Sequence, residues 1–114
     1  MKKIILLAAA LVLVALTGCK KSKVDIKGVA DLAGKKIGVQ TGTTGELFVQ
    51  EEVENANLVS FKSGIDAALD LKNGAIDCVI LDELPAQEIV KRNTSLKIIR
   101  DPYLQKTKKN MLLP

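Results

Sequence analysis

Two groups of residues in this 114-residue chain have the types and spacing for joint chemistry. One is the run Gln40-Thr41-Gly42-Thr43-Thr44-Gly45-Glu46, rich in hydroxyls and glycine. The other is Asp82-Glu83, which ends an apolar run. The first run follows a short apolar stretch, Ile37 to Val39, and opens onto a helical pattern from Glu46. A strand–loop–helix junction of this kind aims several unpaired backbone N–H groups at one spot. Glycine lets the backbone approach a ligand closely, and Thr hydroxyls add donors. The chemistry is retention of a small anion, a carboxylate or a phosphate, although the same composition also serves as plain turn punctuation. Asp82 follows a buried strand, where a carboxylate needs a cationic or hydrogen-bonding partner. It equally suits the N-cap of a helix starting near Leu84.

Catalysis has little to work with. The chain contains no His, which removes the usual general base, the usual metal ligand and every His-containing triad. The loop lacks the Gly-Lys-Ser/Thr of a P-loop, and no nucleophile–base pair is visible. Cys78, inside Ile76-Asp77-Cys78-Val79-Ile80, reads as a small buried thiol. No enzyme activity, cofactor or metal is expected.

The elements that must position these residues alternate along the chain. Lys36 to Val39 reads as a strand and Glu46 to Glu54 as a helix with Leu47, Phe48 and Val53 inward. Asn57 to Lys62 alternates as a strand, and Gly64 to Lys72 carries Ile65, Ala68, Leu69 and Leu71 at helical spacing before an Asn73-Gly74 stop. Ile76 to Leu81 is a strand, Glu83 to Asn93 a helix with Leu84, Ala86, Ile89 and Val90 inward, and Leu96 to Ile99 a last strand. This β-α-β-α-β-α-β order predicts an α/β fold, a small three-layer parallel sheet flanked by helices. With strand order 2-1-3-4, ligands bind where the order reverses, between the first and third strands. The Thr/Gly loop and Asp82 then face one crevice, a pairing that suits a zwitterion.

The N-terminus stands apart. Lys2 and Lys3 precede an apolar run from Ile4 to Leu16, followed by Leu16-Thr17-Gly18-Cys19. The run is short of the 20 or so residues a membrane span needs and fits an export signal. Leu-Thr-Gly-Cys resembles the lipobox of bacterial lipoproteins, in which the Cys is lipidated. Residues 1–18 are therefore expected to be a lipoprotein signal peptide, helical in its apolar part, and 19–27 the lipidated Cys19 and a tether. The α/β domain is expected over 28–100. The protein would be exported and lipid-anchored at the outer face of the cell membrane or in the periplasm, contacting the membrane through lipid on Cys19. The net charge of +4 owes half to Lys2 and Lys3, and aromatics are 3% of residues. No basic stripe marks a nucleic-acid interface.

Four separated motifs carry a family resemblance: Lys35 to Glu46, Phe61-Lys62-Ser63, Leu69 to Gly74, and Asp77 to Glu83. Over roughly residues 27 to 99 the chain resembles the polar-amino-acid solute-binding proteins of bacterial ABC importers (extracellular solute-binding proteins, family 3). The resemblance implies one lobe, the second, of a periplasmic-binding-protein type II fold. It implies that Gln40, Gly42, Thr43 and Thr44 lie against a free amino acid, polar or charged, with the α-carboxylate on the loop donors. It also implies that Asp82 accepts from the α-ammonium and that the partner is an importer permease. In family members a first lobe supplies an Arg for the carboxylate and aromatics for the side chain. Arg92 and Arg100 occupy neither position, so binding by this lobe alone is expected to be weak. One charge-assisted bond is worth roughly 1.5–3 kcal/mol, a factor of about ten to a hundred in affinity.

Residues 101–114 are expected to be an irregular tail. Leu104 to Pro114 shows no apolar period, and its codons can be written so that restoring one base yields Glu-Tyr-Ala-Ile-Ala, a family-like stretch. A frameshifted, truncated gene is the corresponding expectation. Two other functions compete with a weakened receptor: a response-regulator-like receiver, and a truncated remnant without transport function. A receiver needs an acidic pair after the first strand, where this chain has Gln40-Thr41-Gly42.

Overall fold

The computed structural model describes residues 25–114. The lipobox, Cys19 and the leader lie outside them. Among the described residues five strands form one sheet in the order β2-β1-β3-β5-β4: β1 Lys36–Gln40, β2 Asn57–Phe61, β3 Cys78–Asp82, β4 Lys97–Ile99 and β5 Lys109–Leu113. The helices are α1 Thr44–Glu52, α2 Gly64–Lys72, α3 Glu83–Arg92 and the short α4 Pro102–Gln105. β1 pairs in parallel with both β2 and β3, so the strand order reverses between β1 and β3 as expected.

The expected order 2-1-3-4 is correct except for one insertion. β5 runs antiparallel between β3 and β4, making the sheet mixed. The segment expected to be an irregular tail is thus an ordered helix and a buried strand. Apolar periodicity failed there because Lys109 and Asn110 are themselves buried, at 4% and 0% exposure. Strand formation rests instead on ladders to both neighbours, with Ile80 opposite Met111 and Ile98 opposite Leu112. Asp101 starts α4 by accepting from the Tyr103 N–H at 2.7 Å. Lys108 then turns the chain at a φ of 54°.

The sheet has an apolar layer on each face, as strand alternation demands. Ile37, Val39, Cys78, Ile80, Met111 and Leu113 face Val49 of α1 and Leu104 of α4. Val79, Leu81 and Leu112 face Ala67, Ala68 and Leu71 of α2 and Ala86 and Ile89 of α3. Gly38 permits the tight fit on that second face, since a Cβ there would sit 2.6 Å from Ile76 Cδ1. Ile26 is buried in the first layer, so packing begins inside the stretch expected to be tether.

Helix faces differ in detail from the sequence reading. Leu47, Ile65, Leu69 and Leu84 were expected inward and are 49–75% exposed. α1 begins at Thr44 rather than Glu46, which turns Gly45 and Val49 to the sheet and Leu47 outward. α2 turns Ala67, Ala68 and Leu71 to the sheet and α3 turns Ala86 and Ile89, which leaves Ile65, Leu69 and Leu84 on the outer faces. The Asn73-Gly74 stop is realised: Gly74, at a φ of 76°, donates to Leu71, and Ala75 donates to Asp70, a Schellman closure.

Candidate functional site

β1 delivers its last residue, Gln40, to the carboxyl edge of the sheet, and the chain turns into α1 within three residues. Thr41 donates its N–H to the Phe61 carbonyl at 2.8 Å, tying the loop to β2. Gly42 takes a φ of +77°, which an L side chain resists. Thr43 is the N-cap of α1: its hydroxyl donates to the Gln40 carbonyl at 2.7 Å and accepts from the Glu46 N–H at 3.3 Å. The Thr43 hydroxyl is therefore committed to the turn and is not a free ligand donor. Among the described residues the N–H groups of Thr43, Thr44 and Gly45 meet no acceptor. The anion-holding capacity of the loop rests on these and on the Thr44 side chain, which is exposed.

Glu46, the end of the Thr/Gly run and the expected start of the helix, also braces the loop. Its carboxylate accepts from the Gly42 N–H at 3.3 Å and from the Ser60 hydroxyl, bridging loop, helix and β2. The Thr43-x-x-Glu46 spacing of a capping box could have found it, although the carboxylate reaches Gly42 rather than the cap residue itself.

Asp82 closes β3. Because β1 and β3 are hydrogen-bonded neighbours, their ends lie about 4.8 Å apart, and the Thr/Gly loop and Asp82 share one sheet edge. Gly45 rests against β3 here, its would-be Cβ only 3.4 Å from the Ile80 carbonyl oxygen. Asp82 occupies the N-cap position of α3 but makes no side-chain cap hydrogen bond. Its carboxylate is 57% exposed and lies 3.6 Å from the Lys109 ammonium, which is 5% exposed. Lys109 also donates to the Thr107 carbonyl at 3.2 Å. No sequence signal pointed to Lys109, because its strand had no readable period.

Cys78 offers no nucleophile. Burial, reinforced by Asp77 and partly offset by Lys35, pushes its thiol up to about 12. Asp77 is occupied structurally, accepting from the Lys36 N–H at 2.8 Å. Among the described residues no group of Cys, Asp and Glu could hold a metal ion. The arrangement is a set of loop donors beside a half-exposed carboxylate, suited to binding a small charged molecule.

No family model matches the chain. It is 40% identical over 72 residues to ABC transporter arginine-binding protein 1 of Escherichia coli (strain K12), a match covering 63% of this chain and 30% of that protein. It is 31% identical over 85 residues to the L-cystine-binding protein TcyJ of the same strain, covering 74% of this chain and 32% of that one. The chain thus spans about a third of the length of these relatives. Both are named as binding proteins, the first of an ABC transporter. Among solved structures, domain 2 from TmArgBP is 39% identical with a TM-score of 0.58, covering 66% of this chain and 80% of that one. With the predicted motifs, the switch-point sheet and a whole-domain match in agreement, the chain belongs to the extracellular solute-binding proteins of amino-acid ABC importers and corresponds to one lobe of their fold.

Proposed function

We propose that this lobe holds the backbone groups of a free amino acid, as a binding component of an ABC importer. The α-carboxylate would take the N–H groups of Thr43, Thr44 and Gly45, with Gly42 and Gln40 shaping the approach, and the α-ammonium would take Asp82. The observation that carries this reading is that Asp82 ends β3 beside the loop without spending its carboxylate on a helix cap. The names of relatives that bind arginine and cystine support an amino acid as the ligand class. Affinity for this lobe alone is expected to be weak, since among the described residues the loop offers only backbone N–H groups and the exposed Thr44 hydroxyl to a carboxylate. The leader pattern supports export and anchoring through Cys19, with a permease as the downstream partner.

Calorimetric titration of the full chain, held in mild detergent, against arginine, cystine and histidine tests the binding claim. Saturable heat that Asp82→Ala abolishes is the expected result. Silence from a folded sample would overturn it and favour a remnant without transport function. Anchoring is checked separately by fatty-acid labelling of cells, which Cys19→Ser should eliminate.

A further inference from the structure

Beside the loop, on the α1 face of the sheet, lies a cavity of about 250 Å³ lined by Thr44, Phe48, Tyr103, Lys106, Thr107 and Lys109. Of its lining the amino-acid reading uses only Thr44. We propose that this cavity is a second binding site, for a small carboxylate that carries an apolar or aromatic group and lacks an α-ammonium.

The argument begins with Lys109. Its side chain is 5% exposed, a costly position for a charge. An ammonium has three donors. One is used on the Thr107 carbonyl, and the Asp82 carboxylate at 3.6 Å is beyond hydrogen-bond range. Donor capacity therefore remains at a buried cation that borders an open cavity. Lys106 adds a second positive charge to the same lining, and Thr44 adds a hydroxyl. The lining also has an aromatic part: the Phe48 and Tyr103 rings meet at a centroid distance of 5.8 Å, tilted by 44°. Cations and aromatic rings in one lining describe a pocket for an amphipathic anion. The volume lies just below the range of about 300–1,000 Å³ usual for drug-sized ligands, so the ligand is small. The lining holds two lysines and no carboxylate, Asp82 lying outside it, so an α-ammonium on that ligand gains no partner within the cavity and is repelled by the lysines, which separates this site from one built for zwitterions.

The chain has a single Tyr and no Trp, so tyrosine emission reports directly from this cavity. The full chain in mild detergent is titrated with 3-phenylpropionate and with phenylalanine, which differ by the α-ammonium. A saturable emission change is expected with 3-phenylpropionate, and phenylalanine should bind at least about tenfold more weakly. Lys109→Met and Lys106→Gln should each weaken 3-phenylpropionate by about ten- to a hundredfold. Lys106 is exposed, so its variant carries the test if the Lys109 variant fails to fold. Asp82→Asn, which releases Lys109, should leave 3-phenylpropionate binding intact or tighter while abolishing amino-acid binding. No saturation at millimolar ligand, equal binding of the two probes, or indifference to Lys106→Gln overturns the second site. An amino acid that binds and depends on Asp82 would leave the first reading standing even then.

Discussion

Gly42 and Thr43 do different work in the loop although they are adjacent. Gly42 accepts a φ of +77°, and Thr43 spends its hydroxyl on closing the turn. Gly42→Ala should therefore lower stability by about 1 kcal/mol through backbone strain, and Thr43→Ala by a similar amount, about 1 kcal/mol, through loss of the cap. Urea denaturation followed by circular dichroism measures both. Cys78 is informative in another way. Its folded thiol holds its proton up to about 12 whereas a free one ionises near 9.0. The unfolded state thus loses its proton first as pH rises, so this contribution to stability is complete below pH 9 and is lost progressively above it. In a Cys19→Ser variant, iodoacetamide at pH 8 should leave Cys78 unmodified until denaturant is added, and the denaturation midpoint should fall between pH 9 and pH 11.

At the scale of elements, β5 concentrates the unusual features. It is buried along its whole length, yet it opens with Lys109 and Asn110. The Asn110 carbonyl oxygen accepts from Gln105, while its amide nitrogen is buried without a partner. An unsatisfied buried donor costs about 1–3 kcal/mol. Asn110→Val removes that donor and suits a strand, so it should stabilise the fold by about 1 kcal/mol, read as a raised midpoint in thermal unfolding. Gln105 keeps its second acceptor, the Lys109 carbonyl at 3.1 Å, in the variant. The rest of the elements were more legible. The range of α2 and its stop followed from a clean apolar spacing ended by Asn-Gly, and β3 from a continuous apolar run. β5 was missed because its pairing partners, not its side-chain pattern, make it a strand.

For the whole molecule, β5 is the strand that joins β4 to the rest of the sheet. Ending the chain at Lys108 would leave β4 with no ladder and open both apolar layers, Met111 and Leu113 being lost from one and Leu112 from the other. Loss of cooperative unfolding is the expected outcome, checked by near-ultraviolet circular dichroism and a thermal scan. The sequence by itself determined the alternating α/β class, the Thr/Gly turn after β1 and the place of Asp82 at the end of β3, because each depends on local spacing: apolar period, turn chemistry, a residue ending a strand. Tertiary structure alone decided that β5 lies antiparallel between β3 and β4, and so that a buried Lys109 stands 3.6 Å from Asp82. That placement depends on which strands pair across long sequence separations. Neither the period of the tail nor its composition encodes that choice.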